Sequence, residues 1–197
     1  MKGMVVTILA AVVAVTLYSA AFVVDEAEQA IIVQFGEPRG DVIGDPGLHW
    51  KLPFIQEVRR FDKRLLVWDG DVTQIPTLGR EFIQVDTTAR WRIVDPLQFL
   101  RSVRDERGGR TRLDDIIDSV VRDIISGTEL EEIVRSGDWD VDMEELDEVE
   151  QDRDDVALDK RPKLGREKLE AEILKSAAKR TPGLGIELKD VRIKRLN

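Results

Sequence analysis

The chain has no cysteine and a single histidine, and these two scarcities remove most familiar site chemistries. Without cysteine there is no disulfide, no thiol nucleophile and no thiolate metal site. With His49 as the only imidazole, a Ser-His-Asp arrangement has one place to form, and no nucleophile-elbow sequence accompanies it. His49 sits in Pro46-Gly47-Leu48-His49-Trp50, among turn and strand residues where a structural role is the ordinary one. Composition leaves a Ser–Lys pair open, yet Ser102, Ser119, Ser126, Ser136 and Ser176 stand in no recognisable catalytic context. Gly108-Gly109 lacks a following Lys-Ser/Thr and cannot be a phosphate-binding loop. No His/Cys/Glu constellation is spaced to hold zinc. The residues therefore point to no catalytic, cofactor or metal site.

A basic surplus is lacking as well. The formal net charge is −9, so no nucleic-acid partner is expected. An acidic body also gains nothing electrostatically from an anionic bilayer, and membrane contact beyond an anchor is expected to be apolar.

What the chain has instead is a long apolar run. Residues 4–24 carry no charge, between Lys2 and the acidic group Asp25, Glu26 and Glu28. As a helix it would rise about 32 Å, close to the ~30 Å hydrocarbon core of a bilayer. The expected anchor residues are Met4, Val5, Val6, Ile8, Leu9, Val12, Val13, Val15, Leu17, Phe22, Val23 and Val24. A cleaved signal peptide is the alternative, with Ser19-Ala20-Ala21 as its small residues. The run continues through Phe22-Val23-Val24, beyond the usual signal core of roughly 7–15 residues, which favours an anchor. Lys2 and the amino terminus put the helix start in the cytoplasm and the body outside, in a bacterium the periplasm.

The body reads first as strands. Gln29-Ala30-Ile31-Ile32-Val33-Gln34-Phe35 is β-branched and aromatic and stops at Gly36. Gly44, Pro46 and Gly47 mark a loop before Leu48-His49-Trp50-Lys51-Leu52-Pro53-Phe54-Ile55, and further strand character runs over 58–68 and 72–76. Over Phe82–Ile93 the alternation is clean: Ile83, Val85, Thr87, Ala89, Trp91 and Ile93 share one face. One wet face and one apolar face indicate an antiparallel sheet.

From Asp95 the period becomes helical. Asp95-Pro96 predicts an N-cap and a short helix to about Val103. After a charged loop over 105–109, Thr111 opens a helix with the stripe Leu113, Ile116, Ile117, Val120, Val121, Ile124 and Ile125, ended by Gly127. Thr128-Glu129-Leu130-Glu131 has capping-box spacing. Residues 138–159 are dominated by Asp and Glu, with Arg153 the single base, and read as a solvated acidic insertion. A helix over about 164–180 comes next, with Leu169, Ile173, Leu174 and Ala177 as its stripe. A last strand switches phase near Lys189-Asp190, between Ile186/Leu188 and Val191/Ile193.

Trp50, Leu52, Phe54 and Ile55 have two readings: core, or a loop at the membrane–water boundary, where an amphipathic indole is physically apt. Residues alone do not choose between them.

The anchor, then Glu28-Gln29-Ala30-Ile31-Ile32-Val33-Gln34-Phe35-Gly36, then Pro46-Gly47-Leu48-His49-Trp50-Lys51-Leu52-Pro53-Phe54 resemble the SPFH superfamily (stomatin, prohibitin, flotillin and the HflK/HflC group). Further support comes from Val58-Arg59-Arg60-Phe61-Asp62-Lys63-Arg64, Val85-Asp86-Thr87-Thr88-Ala89-Arg90-Trp91-Arg92-Ile93, Asp95-Pro96 and Leu184-Gly185-Ile186-Glu187-Leu188-Lys189-Asp190-Val191-Arg192-Ile193-Lys194. The pattern is most similar to the HflC branch. This resemblance implies an α+β fold: an anchor over 1–24, a strand-rich first lobe over 25–94, and a second lobe over 95–197 containing the acidic insertion. It implies a non-enzymatic scaffold in the bacterial inner membrane, facing the periplasm. Its implied partners are an HflK-like subunit, the FtsH protease and the lipid bilayer, within a higher-order hetero-oligomer. A stomatin- or prohibitin-like organiser of membrane domains and a periplasmic membrane-anchored peptidase are the competing expectations. HflC-like chains continue beyond the last strand into a coiled-coil helix, which the resemblance implies is missing after Asn197.

Overall fold

The computed structural model describes residues 2–135 and 165–196. The acidic insertion expected over 138–159, and Ser136, lie outside the described residues. The first helix, α1, spans Lys2–Ala20. It stops short of the expected end at residue 24, because Ala21–Val24 forms strand β1, paired antiparallel with β4 (Gly47–Trp50). Consecutive β-branched residues at Val23 and Val24 suit an extended backbone. Their buried neighbours reward it, since Phe22 and Val24 enter an apolar cluster with Ala30, Ile32, Ile43 and Val58.

Strand β2 (Glu28–Gln34) lies between β3 (Glu37–Ile43) and β5 (Gln56–Asp62), antiparallel to both. β2 and β3 are joined by the two residues Phe35 and Gly36, both at positive φ (53° and 86°), the signature of a type I′ hairpin turn. Strands β6 (Leu66–Asp69), β7 (Thr73–Pro76), β8 (Phe82–Ile93) and β9 (Ile186–Leu196) form the largest sheet, with β8 paired to the other three. β8 keeps the expected bounds, and its expected apolar face is buried throughout.

Helix α2 (Pro96–Ser102) starts as its sequence dictates: the Asp95 side chain accepts from the Gln98 N–H at 2.9 Å. Helix α3 spans Glu106–Ser126 and therefore takes in Gly108 and Gly109, which the sequence places in a loop. Of its stripe, Leu113, Ile117, Val120, Val121 and Ile125 are buried, with Ile116 and Ile124 at the margin. The capping box before α4 (Leu130–Val134) does not form. Thr128 instead donates its hydroxyl back to the Ile124 carbonyl at 2.7 Å, satisfying the end of α3. Helix α5 (Gly165–Ala178) buries Leu169, Ile173 and Ala177.

The residues group into two compact units. Unit 1 comprises Met1–Leu66, Arg92–Glu106 and Gly183–Glu187. Unit 2 comprises Val67–Trp91, Arg107–Pro182 and Leu188–Asn197. In unit 1, the Gly185 carbonyl accepts from the N–H groups of Val94 and Asp95 at 3.0 and 3.2 Å. A Cβ at this glycine would meet the Asp95 carbonyl oxygen at 2.3 Å, and φ is +72°, so only glycine fits. In unit 2, the Trp68 indole N–H donates to Asp114, joining β6 to α3.

Candidate functional site

Helix α1 is apolar on every face, and none of it is buried in the protein. Gly3–Ala20 has a mean hydropathy of 2.1, and Met4, Val5, Val6, Ile8, Leu9, Val12, Val13, Val15 and Leu17 are all more than half exposed. A helix apolar all round requires an apolar surrounding medium. Its 18 residues rise about 27 Å, enough to cross a membrane.

Beyond the helix, unit 1 continues this apolar character on its surface. In the β1–β4 ribbon, Ala21 lies opposite Trp50 and Val23 opposite Leu48. Directly opposed residues share a face, so Val23, Leu48 and Trp50 line the outward side, all exposed. The inward side carries Phe22 and Val24, both buried, and His49. Of the expected anchor residues, Phe22, Val23 and Val24 are therefore strand residues, while the others lie on α1.

The chain then turns through 51–55 in a closed loop. The Leu52 N–H donates to the Gln56 side-chain oxygen at 2.7 Å, and the Gln56 N–H returns to the Leu52 carbonyl at 3.1 Å. Lys51 folds its ammonium onto the Gln56 carbonyl at 3.1 Å, which withdraws the loop's one charge from its apolar side chains. Phe54 is held at φ +66°, a conformation unfavourable for a bulky residue, and yet it is 86% exposed. Trp50, Leu52 and Ile55 are exposed too, so none of the four belongs to the core. The Lys51 N–H donates to the Ala20 carbonyl at 2.8 Å, fastening this loop to the last residue of α1.

Sequence reasoning did not single out Tyr18, Leu48 or Phe35, and it placed Val23 in the anchor. Tyr18, 86% exposed near the end of α1, and the Val23–Leu48 pair belong to the same region of chain. Phe35 occupies a hairpin turn position that asparagine normally takes, and that misfit was the available signal.

Four of the groups considered for catalysis, His49, Ser102, Ser119 and Ser126, have local partners. The Nε2 of His49 lies 2.9 Å from the Asp45 carbonyl, which can only accept, so Nε2 carries the proton. Its ring lies beside that of Phe22, tilted by 34° with centroids 5.7 Å apart. Ser102 donates to the Gly183 carbonyl at 3.2 Å, Ser126 to the Asp123 carbonyl at 3.3 Å, and Ser119 accepts from Arg180 at 3.1 Å. Among the described residues, no group of three or more His, Cys, Asp or Glu side chains is placed to hold a metal.

Charge in unit 2 is arranged structurally. Asp190 feels burial, which raises its pKa, but Arg90 at 2.7 Å together with Arg192 outweighs that and holds the carboxyl below the usual range. Burial and the neighbouring Asp114 push Asp118 up.

A membrane-length apolar helix continued by an exposed apolar ribbon and loop, on a small antiparallel α+β body, defines the class: an α+β protein with one candidate span among the described residues. A profile of the SPFH domain / Band 7 family matches residues 22–197, and the chain belongs to this family. Among similar proteins, Protein HflC of Treponema pallidum is 35% identical over 192 residues, covering 90% of this chain and 56% of its own. Protein HflC of Vibrio parahaemolyticus is 29% identical over 212 residues, covering all of this chain and 63% of its own. The Modulator of FtsH protease HflC of Escherichia coli K12 is 36% identical over 89 residues, 43% of this chain and 27% of its own. The chain thus spans little more than half the length of the first of these relatives.

Proposed function

We propose that this chain is a non-enzymatic, membrane-anchored scaffold which, with an HflK-like partner, modulates an FtsH-type membrane protease and so the turnover of membrane proteins. The observation that carries it is the fastening of an exposed apolar loop to the end of a membrane-length helix. With α1 across the bilayer through Met4 to Leu17, that bond holds Trp50, Leu52, Phe54 and Ile55 at the lipid boundary. Burying each such side chain in lipid contributes roughly 1.5–3 kcal/mol. Tyr18 and Trp50 suit the headgroup level, where amphipathic rings concentrate. Lys2 on one side and Asp25, Glu26 and Glu28 on the other orient the body to the periplasm of the inner membrane. The protease assignment is supported by the name of the Escherichia coli relative.

The test is reconstitution of the chain with an FtsH-type protease and an HflK-like protein in mild detergent. The scaffold reading expects co-purification of all three and an altered rate of membrane-substrate degradation, unchanged by His49→Ala. Failure to associate with the protease would favour an organiser of membrane domains. Peptide cleavage by the chain alone, abolished by His49→Ala or by one serine replacement, would make it a peptidase.

A further inference from the structure

In unit 1, the end of α2 and the two phenylalanine-bearing turns enclose a groove of about 820 Å³, a size typical of small-ligand sites. Phe35 and Phe54 line it, both on left-handed backbone and both more than four-fifths exposed. Arg101 on α2 and Arg104 just beyond it line the same groove. Among the described residues, neither guanidinium enters an ion pair or a side-chain hydrogen bond, and both side chains are open to solvent. Arg59 is different, since it faces Glu57 at 3.5 Å. Asp105 also lines the groove, so three guanidiniums meet two carboxylates and the local balance is positive within an acidic protein.

We propose that this groove takes the phosphate of an anionic membrane phospholipid, held by Arg101 and Arg104, with Phe35 and Phe54 reaching among the acyl chains. The inference rests on the membrane-seated reading and deepens it from apolar contact to headgroup selection. Guanidinium donors match phosphate oxygens in paired, planar geometry. The lipid source is favoured over a free anion by continuity. Phe54 belongs both to the groove and to the loop fastened to the end of α1, and a dissolved anion has no use for two water-exposed phenyl rings. Net charge points away from anionic lipid, but a charge total says nothing about one groove.

The full chain is reconstituted in bilayer nanodiscs of phosphatidylcholine with a minor fraction of phosphatidylglycerol, then taken into mild detergent, and its retained lipids are counted by mass spectrometry. Phosphatidylglycerol is expected to be enriched at least about fivefold over its bulk fraction, the contribution of one basic side chain beside anionic lipid. Arg101→Gln with Arg104→Gln should bring that enrichment to none while leaving the melting temperature unchanged; if the pair does not fold, Arg101→Gln alone is read the same way. Equal enrichment with and without the arginines, or none in either, overturns the proposal. Inorganic phosphate displacing the bound lipid as well as added phosphatidylglycerol does would overturn the lipid commitment. A nitroxide at Leu52→Cys separates this inference from the reading beneath it. A label left in water defeats the membrane seating, whereas a label at headgroup depth without lipid enrichment defeats only the headgroup site.

Discussion

Two side chains carry backbone strain where solvent gives nothing in return. Phe35, 84% exposed, stands at φ +53° in a turn that favours asparagine. Left-handed backbone costs an ordinary L-residue about 1–2 kcal/mol. Phe35→Asn should therefore stabilise unit 1 by about 1 kcal/mol, read as a rise in melting temperature, while weakening attachment to lipid. A fall in melting temperature would mean that the ring packs within the protein. Two carboxylates predict opposite responses to pH. Asp190 has a depressed folded pKa, so its stabilisation is present above 3.8 and is lost as pH falls through the folded value. Asp118 has a raised folded pKa, so its ionised form opposes folding above that value and the opposition disappears in acid. Asp190→Asn should lower the melting temperature at pH 7 and Asp118→Asn should raise it slightly; the Asp118 difference should vanish below 3.8, while the Asp190 difference should only begin to shrink there. Melting curves of the variants at pH values above and below 3.8 check the signs.

At the scale of elements, β9 shows how an exposed edge is closed. The Ile193 N–H donates to the Glu170 carboxylate at 3.0 Å, and the Ile193 carbonyl accepts from Arg166, so α5 occupies both backbone groups. Glu170 is buried and also lies 3.5 Å from Arg166 and from Arg192. Glu170→Ala leaves the amide and two guanidiniums without this acceptor and should cost about 2 kcal/mol. Glu170→Gln keeps an acceptor and should cost less; equal losses in chemical denaturation would show that charge, and not the edge contact, matters. Elements whose signal is local were legible in the sequence. The alternation of β8 and the Asp95-Pro96 start of α2 state their own structure over a few residues. β1 and β3 were not legible. β1 is hidden inside a continuous apolar run and exists because Gly47–Trp50 pairs with it, and β3 is a mostly exposed strand whose register comes from β2. Long-range contacts were equally silent, as with Arg90 and Asp190, 100 residues apart. The candidate surface was half legible. Residue type named Trp50, Leu52, Phe54 and Ile55, but only the fold exposes them and ties them to Ala20.

For the whole molecule, placement is what the fold supplies. A helix with no polar face leads into a body whose apolar surface lies at the junction, and the family profile covers the chain from that junction onward. The proposed periplasmic orientation rests on the flanking charges, and the absence of native cysteine makes single-cysteine probes of it clean. Cysteine introduced at the exposed Lys175 of α5 should react with an impermeant thiol reagent in intact spheroplasts; labelling only after lysis would reverse the topology. The most direct test of membrane seating is the depth of Phe54. An environment-sensitive fluorophore on Phe54→Cys, in the full chain reconstituted in liposomes, should be quenched by bromine on the upper acyl chains and shielded from aqueous iodide. The same fluorophore on Lys175→Cys should show the reverse. Iodide quenching at position 54 as strong as at position 175 would contradict the seating of this loop in lipid.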